Sequence, residues 1–361
     1  MKNLNIAASR CAAAKSAMNK DGIDVLTVIK DENKKYLSLF DSTSYTVVLT
    51  VEKNYIVTDF RYYEAATELE PLFTVIETSA EYGLIQFLRE ICKAGHRVGI
   101  EADTVSMSFA EKLVTSLPDV DLKKSDGLIE ELRAVKDETE LENLKIAEKI
   151  GDEAFSYILN EIHPGVSEKQ VALKLELKMR ELGAEALSFD VICASGARTS
   201  LPHGIPSDKQ IEKGDFVTMD FGCKYNGYCS DMTRTVAVGH VSSEQRALYD
   251  LVLEAQLAAC RGAHAGMKAS EVDRLARDVI EAAGYGKFFG HGLGHGVGLE
   301  IHEAPTANTR SEEILKTGMM LTIEPGVYIP EKFGVRIEDL SIIDDSDIII
   351  LSKSEKDLII L

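Results

Sequence analysis

The sequence lacks a disulfide framework. Its six cysteines are scattered along the chain and include no CxxC pair, whereas disulfide-stabilised domains are small and dense in cysteine. We therefore predict free, buried thiols in a reducing compartment. The six cysteines are Cys11, Cys92, Cys193, Cys223, Cys229 and Cys260.

Long apolar segments are also absent. No run of apolar residues approaches the roughly 20 that a membrane-spanning helix needs. The first 22 residues contain no continuous apolar stretch of the kind that a secretory signal peptide carries, and their pattern predicts an amphipathic helix instead. These observations predict a cytoplasmic protein with no membrane partner.

Basic residues are in deficit. The chain has 40 Lys and Arg against 59 Asp and Glu, a formal net charge of −19. This balance argues against nucleic acid or an anionic membrane surface as the main partner, because both attract basic proteins. The hydrophobic content of 45% and the charged content of 27% are those of an ordinary globular protein.

Two common ligand-binding motifs are missing. No GxGxxG or GxxxxGK fingerprint occurs in the N-terminal region, which argues against a nucleotide site there, and no HExxH zinc motif occurs either. The stretch HGLGHGVGLEIHE (residues 291–303) is therefore neither a phosphate loop nor a zinc-protease helix. Its alternating glycines predict an extended strand that another backbone or a ligand approaches closely, with His291 and His295 on one face.

The pattern of the chain predicts two domains. Roughly the first 125 residues alternate helix-like and strand-like segments, as in a small α/β domain. A charged stretch then leads into a long amphipathic helix, for which Asp137 is the predicted N-cap and Glu140 completes a capping box. We place the boundary after residue 130, with domains over residues 1–130 and 131–361.

The second domain contains an internal repeat. At a constant offset of 101 residues, the segment Ala154–Gly183 matches the segment Ala255–Gly284. Both copies have the pattern of a helix, an H-x-G turn, a second helix and a glycine stop, and strand-like sequence follows each. Repetition of this whole order predicts two similar α/β halves related by a pseudo-twofold axis, and ligand sites often lie at such junctions. The matched pairs include His163 with His264, Gly165 with Gly266 and Val171 with Val272.

Two aspartates lie on the arms of a predicted hairpin. The segment FVTMDFGCKYNGYCSDMTRTVAVG has two β-rich runs around a Tyr-Asn-Gly turn. A two-residue turn at Asn226-Gly227 gives facing residues whose numbers sum to 453, and a four-residue loop gives 451. Asp220 and Asp231 share a face in either register. Two like charges so placed are destabilising unless one is protonated or a cation lies between them. An ordinary solvent-exposed hairpin is the alternative interpretation.

Two glutamates close strands further along the chain. Glu324 follows the apolar run GMMLTI and precedes Pro325-Gly326, and a carboxylate at the end of a buried strand usually needs a partner. Glu338 lies two residues from Arg336 and therefore on the same face of a strand. An ordinary Arg–Glu contact is the alternative for that pair.

Four carboxylates and at least one histidine thus fall on predicted strands of the repeated domain. Oxygen-rich sites with one imidazole suit Mn²⁺ or Co²⁺ better than structural zinc, which prefers thiolates and imidazoles. Four carboxylates would also neutralise two divalent ions, and two ions about 3.5 Å apart can activate water and polarise a carbonyl, as in aminopeptidases. The pattern predicts a dinuclear metal centre.

In these motifs the sequence resembles the metal-dependent Xaa-Pro aminopeptidases and Xaa-Pro dipeptidases (prolidases), over essentially the whole chain. The resemblance implies an α/β (α+β) fold with a small creatinase-like N-terminal domain and a pseudo-twofold pita-bread catalytic domain. It also implies two divalent metal ions per subunit, Mn²⁺ first, with Co²⁺ or Zn²⁺ as alternatives. The family's five metal ligands fall on Asp220 in MDFG, Asp231 in SDMTR, His295 in GHGLGHGVG, Glu324 in IEPG and Glu338 in RIED.

The same resemblance implies roles for the residues around the metals. Catalytic roles fall on His203, His302, Glu324 and Arg336, and substrate-binding roles fall on His203, His291, His302 and Arg336. Glu324 is expected to take a proton from the attacking water and pass it to the leaving proline nitrogen. His203 and His302 are expected to stabilise the carbonyl and the developing oxyanion.

The substrate range stays open at this point. The first expectation is an aminopeptidase acting on peptides with proline at the second position, and a strict Xaa-Pro dipeptidase is the alternative. Methionine aminopeptidases usually lack so large an N-terminal domain, and creatinase-like hydrolases lack the five ligands. A non-catalytic binding module on the same fold is a further alternative, although such relatives typically lose several ligands. The resemblance also implies a homodimer.

Overall fold

Two compact units make up the chain. The structure, a computed structural model, describes residues 4–361. One unit ends at Arg133 and the other comprises Ala134–Leu361. The predicted N-terminal helix is observed as α1 (Leu4–Asp21), and the first three residues of that prediction lie outside the described range. No helix within residues 4–361 is both long and apolar enough to cross a membrane.

The N-terminal unit is built on one mixed sheet. Its strands are β1 (Val25–Val28), β2 (Tyr45–Thr50), β3 (Asn54–Asp59), β4 (Thr74–Thr78), β5 (Arg97–Ile100) and β6 (Asp121–Lys124). The helices after α1 are α2 (Asp31–Ser38), α3 (Phe60–Thr67), α4 (Leu84–Ile91), α5 (Met107–Ser116) and α6 (Leu128–Ala134). The strand order is β4-β3-β2-β1-β5-β6; β2 is antiparallel to both neighbours and the other pairs are parallel. The small α/β domain predicted from periodicity is confirmed.

Helix α2 ends at a strained residue. Leu39 adopts the left-handed conformation (φ 55°, ψ 20°), and its amide donates to the carbonyl of Lys35. A β-carbon in that region costs about 1–2 kcal/mol, whereas glycine adopts it freely. The end of α2 therefore carries a local backbone strain.

The C-terminal unit contains two pairs of helices. These helices are α7 (Glu138–Ile158), α8 (Glu168–Glu181), α9 (Ser243–Gly262) and α10 (Ala269–Ala282). Helix α7 begins as predicted: the Asp137 side chain accepts from the amide of Glu140, and the Glu140 carboxylate accepts from the amide of Asp137, both at 3.0 Å. This reciprocal capping box satisfies two of the amides that a helix leaves without partners at its start.

The internal repeat is visible in the backbone. Helices α8 and α10 have the same length and are displaced by 101 residues, as predicted. Gly165 and Gly266 precede them with φ of 96° and 88°, and Gly183 and Gly284 follow them with φ of 108° and 84°. The helices α7 and α8 pack on one apolar cluster and α9 and α10 on another. The unit is therefore two similar halves, each with its own core.

The rest of the C-terminal unit consists mainly of short strands. They are β7 (Ala186–Leu187), β8 (Ile192–Ser195), β9 (Phe216–Phe221), β10 (Cys223–Tyr225), β11 (Tyr228–Cys229), β12 (Met232–Ala237), β13 (Gly294–Gly296), β14 (Glu303–Ala307), β15 (Met320–Ile323), β16 (Gly326–Ile329), β17 (Phe333–Arg336), β18 (Asp339–Ile343) and β19 (Ile348–Ile350). The sheets are β11-β10-β7, β12-β9-β8, β13-β14, β15-β18-β19 and β16-β17. The arrangement of β12-β9-β8 in one half and β15-β18 in the other provides the inner surfaces on which the predicted ligands lie.

The hairpin of the two aspartates has the two-residue turn. Tyr225 pairs with Tyr228 around Asn226-Gly227, and both turn residues have positive φ, as a type I′ turn requires. The register continues into β9 and β12, where Asp220 pairs with Thr233. Asp231 therefore lies diagonally from Asp220. Of the two registers predicted, the structure has the one in which the numbers of facing residues sum to 453.

Candidate metal centre

All nine predicted site side chains line one cavity of about 1140 Å³. The cavity belongs entirely to the C-terminal unit. Some of these residues are exposed at the opening of the cavity and others are buried at its floor. The cavity therefore has a solvent-exposed side and a buried side. The nine are His203, Asp220, Asp231, His291, His295, His302, Glu324, Arg336 and Glu338.

The carboxylates come from strand ends in both halves of the repeat. Asp220 is near the end of β9 and Asp231 directly precedes β12, whereas Glu324 directly follows β15 and Glu338 directly precedes β18. Ligand atoms of Asp231, Glu338 and His295 all lie within 4.8 Å of one another. The two halves thus bring acidic side chains from matching positions to a single point.

His295 indicates that a cation belongs among these carboxylates. Its Nδ1 lies 3.0 Å from the carbonyl oxygen of Gly296, and a carbonyl only accepts, so Nδ1 carries the proton. Burial lowers the pKa of His295 to about 4, which leaves Nε2 as a bare lone pair near neutral pH. That lone pair faces Asp231 Oδ2 at 3.6 Å and Glu324 Oε1 at 3.4 Å. Three electron-rich atoms at this separation repel one another unless a proton or a metal ion lies between them.

Two further oxygens support the same conclusion. Asp220 Oδ1 and Glu338 Oε1 are buried without a hydrogen-bond partner among the described residues. Their sister oxygens are occupied, because Asp220 Oδ2 accepts from Arg336 at 2.7 Å and Glu338 Oε2 accepts from the Thr233 hydroxyl at 2.6 Å. A buried acceptor without a donor is costly, and a divalent cation satisfies such oxygens. The residues present therefore fit an oxygen-rich metal site with one imidazole.

Raised pKa values make three of the carboxyl groups resist ionisation in the absence of metal. Burial raises the pKa of Glu324 to about 8. Burial and the neighbouring carboxylates, Glu338 first for Asp231 and Glu324 first for Glu338, raise the pKa of both groups well above their ordinary values. Like charges confined in a dry site hold protons, and divalent ions would displace those protons.

This arrangement predicts how the stability of the metal-free protein changes with pH. Between pH 6.5 and 8 folded Glu324 keeps a proton that the unfolded chain has released, so the free energy of unfolding falls as pH rises. His291 and His295, whose pKa values burial lowers to about 4, act oppositely only below about pH 6.5, because above it they are neutral in both states. We expect the melting temperature in excess chelator to fall from pH 6.5 to 8 and Mn²⁺ to reduce that fall. Glu324→Gln should reduce the slope of the chelated profile without removing it, because Asp231 and Glu338 also keep raised pKa values. A chelated wild-type melting temperature that rises over this range would contradict the assignment.

A network that sequence reasoning missed holds the floor of the cavity. Arg336 Nη1 donates to the Tyr328 hydroxyl at 2.8 Å and to the carbonyl of Pro202 at 3.1 Å. The Tyr328 hydroxyl lies 2.9 Å from His291 Nε2, and His291 Nδ1 lies 2.7 Å from the carbonyl of Gly292. Nδ1 must donate to that carbonyl, so Nε2 accepts from Tyr328. His291 is thus already bonded at both nitrogens, which favours a role in orienting Tyr328 over direct contact with substrate.

Arg336 does not make the Arg–Glu contact that sequence spacing offered as an alternative. Its carboxylate partner is Asp220, from the other half of the repeat, at 2.7 Å. Strand pairing explains why Tyr328 joins it: Gly326 pairs with Arg336 and Tyr328 with Gly334, so Tyr328 and Arg336 are diagonal neighbours on one face. The sequence alone did not predict that Tyr328 contacts Arg336, because this contact follows from the pairing of β16 with β17.

Two histidines occupy the exposed side of the cavity. His203 and His302 are exposed. Within residues 4–361, neither ring makes a hydrogen bond to the protein. The ring of His302 lies edge-on to that of His295, with centroids 4.3 Å apart. The rings of His203 and His302 are therefore accessible to solvent. In contrast, His291 bonds to Tyr328 and Gly292, and His295 lies among the carboxylates of the candidate metal site.

The loop that carries His203 is fixed by a buried carboxylate. Glu168 is fully buried and accepts from the amides and hydroxyls of Ser195 and Ser207 at 2.6–2.9 Å. Arg198 donates to the same carboxylate and to the carbonyl of Ile205 at 2.7 Å. These hydrogen bonds hold the chain on both sides of the exposed His203.

Neighbouring backbone, and not substrate access, accounts for the glycines at positions 294 and 296. A β-carbon on Gly294 would lie 1.9 Å from the carbonyl oxygen of Thr322, and one on Gly296 would lie 2.2 Å from that of Ala304. Neighbouring protein backbone therefore demands these glycines. The predicted strand is also shorter than expected, since β13 has three residues and a bulge at His295/Gly296, and His291 precedes it.

Comparison with known proteins identifies this arrangement. Residues 142–345 match metallopeptidase family M24, and residues 10–135 match the creatinase/prolidase N-terminal domain. The chain belongs to metallopeptidase family M24. Its fold is accordingly the mixed α/β N-terminal domain followed by a pita-bread domain, as the sequence predicted, and family membership implies divalent metal ions at the site described above.

Relatives of this M24 peptidase match it nearly end to end. The Xaa-Pro dipeptidase of Pyrococcus furiosus is 42% identical over 95% of this chain and 97% of its own length. Among solved structures, an Xaa-Pro dipeptidase from Bacillus anthracis has a TM-score of 0.94 and 42% identity, covering 98% of this chain and 100% of that one. An X-Pro aminopeptidase from Thermotoga maritima has a TM-score of 0.88 and 34% identity, covering 97% and 99%.

Proposed function

We propose that this M24 peptidase uses two divalent metal ions, Mn²⁺ in the first instance, to hydrolyse the peptide bond that precedes a proline at the second position. The position of His295 Nε2, 3.6 Å from Asp231 Oδ2 and 3.4 Å from Glu324 Oε1, is the observation that carries the proposal. Asp220, Asp231, His295, Glu324 and Glu338 would together hold the ions. Bound ions at this position supply an activated water and polarise the carbonyl of the scissile bond.

The protein's own groups supply the proton transfers. Glu324 Oε1 accepts from the Thr322 hydroxyl at 3.2 Å, so Oε2 is the atom we assign to proton exchange with the attacking water. Burial raises the pKa of Glu324 to about 8 in the absence of metal, and a raised pKa is the tuning that favours a carboxyl group in proton transfer near neutral pH. His203 and His302, with free imidazoles, donate to the carbonyl oxygen as it gains negative charge.

Proline suits such a site. Its nitrogen carries no N–H once it is in a peptide bond, so the pocket need offer no acceptor at that position. Release of the product requires only that the nitrogen receive one proton, which Glu324 delivers.

The charges lining the cavity favour peptides longer than a dipeptide. A free Xaa-Pro molecule places a carboxylate directly beyond the reacting bond, and a buried carboxylate needs a cation. Arg336 and Lys287 are the permanent cations among the described lining residues. Arg336 is already bonded to Asp220 and Tyr328, and Lys287 is exposed beside the Phe288 ring. A peptide that continues past proline replaces that carboxylate by a neutral amide, so we place aminopeptidase activity first.

A strict Xaa-Pro dipeptidase is the second candidate. The names of the Pyrococcus and Bacillus relatives favour it, since both are described as Xaa-Pro dipeptidases. The homodimer and the cytoplasmic location stay predictions from the sequence.

A comparison of substrate lengths tests the proposal. We expect Ala-Pro-Ala to be cleaved in Mn²⁺ with a kcat/KM at least about tenfold above that of Ala-Pro, equivalent to about 1.4 kcal/mol of transition-state binding. Ala-Ala-Ala is the control and should remain intact. Cleavage of the dipeptide alone would transfer the assignment to the dipeptidase, and hydrolysis of neither proline substrate by metal-loaded protein would overturn both candidates.

A further inference from the structure

A buried arginine ties the last part of the chain to the metal centre. Arg234 lies on β12 with 1% exposure, and all five of its N–H groups have acceptors. Nη1 donates to the carbonyls of Thr233 and Glu338, the residues joined by the Thr233–Glu338 side-chain hydrogen bond. The other nitrogens donate to the carbonyl of Ser354 at 2.8 Å and that of Glu355 at 3.1 Å. Arg234 therefore joins a metal-binding strand end to the C-terminal segment.

The charge of Arg234 is balanced beside the same segment. Asp339, which follows Glu338, accepts from Arg234 Nη2 at 2.8 Å through Oδ1. Its Oδ2 accepts from Lys356 Nζ at 2.6 Å and from the Gln256 amide at 2.8 Å. The buried pair is thus fully hydrogen-bonded, the condition under which buried charges are tolerated.

A second connection reaches Asp231. Glu148, on α7, is 1% exposed. Its Oε2 accepts from the backbone amide of Asp231 at 3.3 Å, and its Oε1 accepts from the Ser352 hydroxyl at 2.5 Å. The Ser352 oxygen in turn accepts from the amide of Leu340 on β18 at 2.9 Å. The C-terminal segment therefore contacts Glu148 on α7, which accepts from the amide of Asp231, and Arg234 on β12, which donates to the carbonyl of Glu338.

We propose that residues Ser352–Lys356, here called the C-terminal brace, position Asp231 and Glu338 for metal binding, with Glu148 and Arg234 as the positioning residues between them. The inference rests on the proposed metal centre. Partners that orient ligands typically change metal affinity by about 10–100-fold when removed. The brace lies more than ten residues beyond the last ligand in sequence, and it contacts no substrate-facing residue described above.

Two serines of the brace provide a matched test. The Ser354 hydroxyl donates to Asp152 at 2.6 Å, one helical turn from Glu148 on α7. Ser352→Ala and Ser354→Ala thus each remove one hydroxyl from the brace and one bond to α7. Only Ser352→Ala acts on the carboxylate that holds Asp231, and it also removes the acceptor of the Leu340 amide on β18. We expect Ser352→Ala to raise the Mn²⁺ dissociation constant by about tenfold or more, and Ser354→Ala to leave it unchanged.

The measurement is Mn²⁺ binding to the full chain in competition with a chromophoric chelator, at a temperature where circular dichroism shows both variants folded. The visible absorption of the Co²⁺-loaded protein reports ligand geometry independently, and it should change for Ser352→Ala alone. Saturating Mn²⁺ should restore kcat of that variant with KM unchanged. Equal metal affinity and equal Co²⁺ spectra in the two variants would overturn the brace. Wild-type protein that binds no metal would overturn the metal centre itself, and the brace with it.

Two lysines keep the inference falsifiable if Ser352→Ala does not fold. Lys356→Met removes the bond to Asp339, which retains Arg234 and Gln256, whereas Lys353→Met alters a lysine of the same segment that does not contact Asp339. We expect weaker Mn²⁺ binding for Lys356→Met and wild-type binding for Lys353→Met. Identical dissociation constants for these two variants would overturn the proposal.

Discussion

Glu338→Gln should abolish metal binding and turnover while stabilising the metal-free protein. Glutamine keeps the volume of the side chain and can still accept from the Thr233 hydroxyl, but it is neutral without a proton, whereas Glu338 must keep a proton in the metal-free site or place a charge beside its neighbouring carboxyl groups. Lost metal activation is worth several kcal/mol, and about 4 kcal/mol corresponds to about a 10³-fold loss in kcat/KM. Burial, followed by repulsion from Glu338, raises the pKa of Asp231, and relief of that repulsion should add about 0.5–2 kcal/mol to the free energy of unfolding of the chelated protein.

The opposite signs of these two effects make the experiment informative. Urea unfolding in chelator measures the stability gain, and metal analysis with kcat/KM measures the functional loss. Asp190→Asn is the matched control, because Asp190 lines the same cavity but is exposed and outside the predicted ligands. It should retain metal and unfold at the wild-type urea concentration. A Glu338→Gln protein that still binds two ions would remove Glu338 from the ligand set.

Local sequence signals predicted the elements that depend on nearby residues. The Asp137 capping box, the Asn226-Gly227 turn and the 101-residue displacement of α8 and α10 are each confirmed. Each depends on contacts within a few residues or on direct internal repetition, so periodicity and turn chemistry are sufficient. The resemblance placed nine site residues in one region, and the structure brings all nine to one cavity; their individual roles stay predictions.

Contacts between distant strands were beyond such signals. The Asp231 amide and the Glu148 carboxylate that accepts from it are 83 positions apart, and Arg234 and the carbonyl of Glu355 are 121 positions apart. No local pattern encodes which buried donor meets which acceptor, because tertiary packing decides it. The same reason explains the glycines around His295, which a sequence pattern could assign equally to a ligand or to backbone and which the structure assigns to backbone.

Arg336→Met should destabilise the chelated protein by about 3–5 kcal/mol, because it leaves Asp220 buried without its cation. It also removes the donors to Tyr328 and to the carbonyl of Pro202, which lies next to His203. Misplacement of a catalytic group by about 1 Å can cost about 10²-fold, so we expect kcat/KM to fall by that order even in saturating Mn²⁺. Metal should recover more stability in this variant than in wild type, since the ions then supply the only positive charge beside Asp220.

Arg336→Lys separates the charge from the geometry. Lysine retains the positive charge that Asp220 needs, but one ammonium cannot reach Asp220, Tyr328 and the Pro202 carbonyl together. The chelated stability should therefore return close to wild type while kcat/KM remains low. Arg180→Met, which breaks an exposed pair with Glu176, is the control and should change stability by no more than about 0.5 kcal/mol. Recovery of full activity by Arg336→Lys would mean that charge alone matters, and that the placement of the His203 loop by the guanidinium has no part in turnover.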